Sequence, residues 1–327
     1  MRGRASVNER RAGRAQVAAR GRVGAAVAVA AALGVVGLAA PAAAADVTWF
    51  VDAGAGLDAE GCGEAPGPAA CATIGAALER VTAGDVVEIA AGRYVETLRI
   101  ETPVTLRGAA TDLVTLAGAA EREPVVTVDA DGTVALSDMT IHPEQPSGTY
   151  APSVVHVGEN RAAELTRVAI RAGEDEGFAG TGVLALSGST VAIEGSSISG
   201  VLNGVAVGSS GSAGVEISES ILTSNREGIR VLAGTVTVTG GELSENTTAG
   251  VRTVGTEAVV DLTGTTIRDN GPRESGSTHG GLVLQNGGTI IGDGLVLSGH
   301  SYGVNARGGS VTLRNSTVTD SGWIEEG

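Results

Sequence analysis

A glycine followed by an aliphatic residue returns at a nearly constant interval through the second half of the chain. That period constrains the fold more than any other feature. The pairs are Gly182-Val183, Gly204-Val205, Gly228-Ile229, Gly250-Val251, Gly281-Leu282 and Gly303-Val304, spaced 22, 24, 22, 31 and 22 residues apart. A second register, aliphatic-x-aliphatic and then an aliphatic five residues on, runs beside it. Val134/Leu136/Ile141, Val191/Ile193/Ile198, Val215/Ile217/Leu222, Val236/Val238/Leu243, Val260/Leu262/Ile267 and Val311/Leu313/Val318 fill it. Weaker copies stand at Ala163/Leu165/Ile170 and Ile290/Gly292/Leu297. Each repeat alternates with period two and shows no helical stripe, so it holds short strands. One such unit cannot bury its own aliphatics. Stacked coils can, because neighbours hydrogen-bond in parallel and fill a shared interior. The spacing predicts an all-β parallel solenoid of about three strands per coil over roughly residues 84–322.

Asn225, Asn246 and Asn270 each follow the last aliphatic of their coil by three residues. Asn tolerates left-handed backbone and stacked amides bond to one another, so a tight corner with a structural asparagine column is expected there. Ahead of the repeat, Ile74, Ala77, Leu78 and Val81 fall on one helical face, with Thr73 as N-cap. A solenoid end exposes interior and strand edges. The helix at about residues 73–82 is therefore read as a lid over the first coil.

Residues 1–22 hold seven Arg and one acid, residues 23–40 are almost wholly Val, Ala, Leu and Gly, and "PAAAAD" follows. This has the form of a secretory signal peptide over residues 1–45, cut after Ala43 to Ala45. No second apolar span follows it, so no membrane span is expected after cleavage, and the expected location is extracellular. The remaining chain carries 15 Arg against 36 acids and no Lys, a formal net charge of −21. Nucleic acid and anionic membranes are poor partners for such a surface, whereas metal cations or a basic partner suit it. In an exported chain, Cys62 and Cys71 in "GCGEAPGPAAC" read as one local disulfide. They lie within an N-terminal segment, residues 46–83, that leads into the repeat region 84–327.

The stretch "TWFVDAGAGLDAEGCG…CATIGAALERVTAGDVVEIAAGRYVETLRI…PVTLRGA" resembles the N-terminal pattern of secreted right-handed parallel β-helix proteins of the pectin-lyase-like superfamily. An extended "VD…G.D" segment, a "TI..A" cap helix, a "GD.V" turn and a "G.Y.E" strand follow in that order. With the repeats, the likeness covers about residues 47–323. It implies a right-handed parallel β-helix with a short N-terminal capping helix. For function it implies little, since the superfamily holds lyases, hydrolases, esterases and adhesins.

Enzymes of that superfamily commonly use acids and a basic residue on one sheet, sometimes with calcium. A Lys base is excluded because the chain has no Lys. Neighbouring Asp motifs such as "NTD" and "DD" are absent, and Asp261 and Asp293 stand in different registers of their repeats. "GSSGSAG" opens no helix, so phosphate binding is not expected. In "DAGAGLDAEG", Asp52, Asp58 and Glu60 could hold calcium through hard oxygens, although the spacing matches no complete calcium loop. Calcium is the one cofactor suggested, and none is required.

Loop length points elsewhere. The long insertions 142–153, 171–181 and 268–280 all fall at one corner, as do Tyr150, Phe178, Tyr302 and Trp323, the aromatics beyond residue 100. On the strand just past that corner, His156, Arg230 and Arg252 occupy equivalent outward positions. Arg230 and Arg252 lie one coil apart, which puts them about 4.8 Å apart along the axis. Like charges that close need an acid or an anionic ligand between them. Structural roles account for most such features: corner aromatics cover edges, and Glu227 can answer the arginines. As a ligand site, His156, Arg230, Arg252, Tyr150 and Phe178 suit an acidic sugar. Two functions follow. The preferred reading is a secreted, non-catalytic module that binds an extracellular polysaccharide or a cell-surface partner. The alternative is a polysaccharide lyase or glycoside hydrolase acting on an acidic polysaccharide. Ligand identity and oligomeric state are not encoded in any motif.

Overall fold

The computed structural model describes residues 46–119, 122–144, 152–171, 180–208, 212–271 and 279–325. One coil runs Thr190–Glu194, Ser197–Ser199, Asn203–Val207, and the next runs Gly214–Ser218, Ile221–Thr223, Glu227–Val231. Each strand pairs in parallel with the equivalent strand of the adjoining coil, as in Val215↔Val236 and Val236↔Val260, or Val205↔Ile229 and Ile229↔Val251. The result is a parallel β-helix with three faces. Thr133–Pro143 and Ala162–Arg171 run unbroken around the corner between the first two faces. Those two faces join as a 19-stranded sheet, and the third is a 10-stranded sheet.

The expected interior is the observed one. Val134, Leu136, Ile141, Val191, Ile193, Ile198, Val236, Val238, Val260, Leu262 and Ile267 are all buried in one continuous core. The glycines of the Gly-aliphatic pairs are explained by crowding between coils. A β-carbon on Gly204 would lie 2.6 Å from the carbonyl oxygen of Gly228, and one on Gly228 equally close to that of Gly250. At the last described coil the burial fades: Val311 and Leu313 are only partly covered, and Val318 is 36% exposed.

Three local expectations are corrected. First, the stack starts before the lid, since Thr48–Val51 already pairs with Val86–Ile89 as a first rung. Second, the helix spans only Ile74–Leu78. Thr82 N–H, which would extend the helix by bonding back to Leu78, donates instead to Asp85 Oδ2 at 2.8 Å. Ile74 and Ala77 are nevertheless fully buried, with Leu78 and Val81 packed against the core, so the lid role holds. The first helical N–H groups have acceptors: Thr73 N–H bonds Asp58, Ile74 and Gly75 N–H bond Glu96, and Ala76 N–H bonds Thr73 Oγ1.

Third, the left-handed corner residues are not the asparagines but their predecessors, Ser224 (φ 55°), Glu245 (φ 54°) and Asp269 (φ 54°). Those side chains point to solvent, which turns each following Asn inward. Asn246 Oδ1 accepts from Asn225 N–H at 3.0 Å, and its Nδ2 donates to the Leu222 carbonyl at 3.1 Å. Asn270 repeats the pattern on Asn246 N–H and the Leu243 carbonyl. The amides thus satisfy backbone groups that a sharp corner removes from the strand ladder.

The Cys62–Cys71 disulfide is present. Cys71 also bridges to Val51 in the first rung, so the loop is fastened to the stack.

Candidate functional site

The outward positions of the third face form a column fixed by strand register. It runs Thr127, His156, Leu184, Ala206, Arg230, Arg252, Val283, Asn305. Arg230 on Glu227–Val231 and Arg252 on Ala249–Thr253 are direct partners, as their spacing predicts. His156 is in the same column but three coils away, about 14 Å along the axis. The structure therefore does not bring His156 to the arginine pair. Its Nδ1 lies 3.4 Å from Ser153 Oγ, and burial pushes its titration below the ordinary imidazole range, with Asp129 acting in the opposite direction.

Glu227 joins the two arginines. Its Oε2 accepts from Arg230 Nη1 at 3.1 Å, and its Oε1 is 3.2 Å from Arg252 Nε. The carboxylate is only 3% exposed, while the side chains of Arg252 and Arg230 are 11% and 32% exposed. Burial pushes the Arg252 guanidinium below its usual value, Glu227 opposes that, and Arg230 and Arg226 add to it. Arg226 is the member the sequence reading missed. It is exposed, one residue before Glu227, and close enough to act on Arg252. Two guanidinium groups on one carboxylate leave a local excess of positive charge on a strongly acidic chain. Such a group can fork onto carboxylate or sulfate.

Tyr150 and Phe178 lie outside the described residues. The calcium candidates are placed as follows. Asp52 Oδ1 accepts from Gly54 and Ala55 N–H, and Asp58 from Ala72 and Thr73 N–H and the Thr73 hydroxyl. Glu60 is exposed. Among the described residues these three carboxylates do not gather into one cluster. Among the described residues, the single group of three potential ligand side chains is Asp58 with Cys62 and Cys71, whose sulfurs are bonded to each other.

The register, the parallel stacking and the lidded first coil are those of a known architecture. Residues 153–322, more than half of the chain, match the family model described as a right handed beta helix region. The chain belongs to the right-handed parallel β-helix family. Among solved structures it is similar to pectate lyase Pel9A, with 11% identity and a TM-score of 0.53 over 86% of this chain and 79% of that one. Pectin methylesterase from Aspergillus niger shares 16% identity, TM-score 0.46, over 87% and 92% of the two chains. The A-module of the Azotobacter vinelandii mannuronan C-5 epimerase AlgE4 shares 13%, TM-score 0.39, over 74% and 89%. At these identities the likeness concerns the fold alone. No curated protein sequence matches the chain. No helix among the described residues is long and apolar enough to cross a membrane.

Proposed function

We propose that this β-helix is an exported, non-catalytic module that binds an acidic glycan on its third face, at Arg226, Arg230 and Arg252. The carrying observation is the stacked arginine pair around one buried carboxylate. Glu227 neutralises part of that charge and holds both side chains in place, and the remaining charge is available to an anion. Two forks one coil apart suit a polymer of repeated carboxylates or sulfates. Export is supported by the signal-like residues 1–45 and by the disulfide.

The test is an acidic-glycan array together with a polysaccharide-degradation screen, run on wild type and on an Arg230→Ala, Arg252→Ala double variant. The expected result is binding without degradation, lost in the variant. Equal binding by both proteins places the site elsewhere, and degradation products place the protein among the lyases or hydrolases. Without residues 1–45 the net charge of −21 repels polyanions at long range. Affinity should therefore be weaker at about 10 mM salt than near 0.15 M, where the Debye length is about 8 Å.

A further inference from the structure

The rung after Asn270 in the asparagine column is a histidine. His300 is fully buried, with Nδ1 3.0 Å from Asn270 N and Nε2 3.0 Å from the Ile267 carbonyl oxygen. These are the two bonds that Asn246 makes to the coil before it. A ring can make both only as the neutral tautomer with its proton on Nε2. The imidazole fits because Gly281 has no side chain: a β-carbon there would lie 2.8 Å from Cδ2 and Nε2. The column continues upward, since His300 N–H donates to Ser321 Oγ at 3.1 Å.

We propose that His300 is a proton-operated latch: a second proton, on Nδ1, breaks the column at this rung and loosens the coils that follow. Protonation turns the acceptor of Asn270 N–H into a donor, so two N–H groups meet across the 3.0 Å contact. Nδ1–H can turn to the Asn270 carbonyl, 3.2 Å away, but Asn270 N–H then has no acceptor at a fully buried position. A cation is also placed in the dry interior.

Among the described residues, charged groups on the surrounding elements are few. Asp269 favours the cation, and Arg268 on Thr266–Arg268 is engaged by Glu242 and Asp269. His279 precedes the strand Gly280–Gln285, and Asp320 precedes Ser321. Burial outweighs Asp269 and the backbone bonds, and holds His300 below the ordinary imidazole range. The folded state then binds its proton less readily than the unfolded state. Stability from the closed column is full above about pH 6.5 and falls as pH drops below it.

Hydrogen exchange of wild type and His300→Asn at pH 7.5 and 5.0, corrected for intrinsic rates, tests the proposal. The expected result is roughly tenfold faster opening of residues 296–307 in the wild type at pH 5.0, with no such change in the variant, whose rung is an amide. The same pH response in both proteins overturns it. A variant that does not fold is replaced by NMR titration of the wild type, in which four histidines can be told apart. His300 should titrate below about 6.5, and the Asn270 amide should shift with the same midpoint. A higher midpoint, or an unresponsive Asn270 amide, also overturns the latch.

Discussion

A β-carbon on Gly228 would sit 2.6 Å from the carbonyl oxygen of Gly250 in the next coil. The contact is backbone against Cα, so no side chain can move aside to relieve it. Gly228→Ala should lower stability by about 1–3 kcal/mol through overpacking. A shift of the urea midpoint checks this, with Gly214→Ala as control, since nothing lies within 4 Å of its added carbon.

Asn246→Ala should cost about 2–4 kcal/mol, because Asn225 N–H and the Leu222 carbonyl both lose buried partners. Glu245→Gly, one residue earlier, should stabilise by about 1 kcal/mol, since Glu245 is exposed and left-handed at φ 54°. If Asn246→Gly stabilised and Glu245→Gly did not, the placement of the turn would be wrong.

Reduction of Cys62–Cys71 should remove about 2–3 kcal/mol of restraint from the N-terminal end. Under reducing conditions hydrogen exchange should rise first around residues 73–90, before the central coils. Uniform acceleration along the chain would contradict the anchoring of the lid.

Asp85 is buried and accepts from Val47 N–H, Trp49 Nε1, and both Thr82 N–H and its hydroxyl. Burial alone raises its carboxyl, but the bonds from Thr82, Val47 and Trp49 together outweigh burial and hold it below the usual range. Its contribution is therefore fully present above about pH 3.9 and is lost as pH falls through the lower folded value. Asp85→Asn should be less stable than wild type at pH 7, with the gap closing below pH 4. A constant gap from pH 7 to pH 2 would show that the charge is not what the four donors recognise.

The period of the Gly-aliphatic pairs determined the β-helix, its coil length and its interior residues, because a two-residue alternation repeated about every 22 residues can be buried only by stacking. The arginine pair was legible for the same reason: residues one period apart must be neighbours across a parallel ladder. Counted in periods, His156 already stands about three coils from Arg230, so the sequence itself separates the histidine from the arginine pair. Period could not show that one oxygen of Glu227 meets each arginine, since that depends on how a corner aims side chains. Thr82 belongs to a helical pattern by spacing, yet its N–H goes to Asp85. His300 carries no resemblance to asparagine in the sequence. Only the folded corner places an acceptor and a donor where Asn246 has its amide, and there a neutral imidazole meets the same two backbone groups.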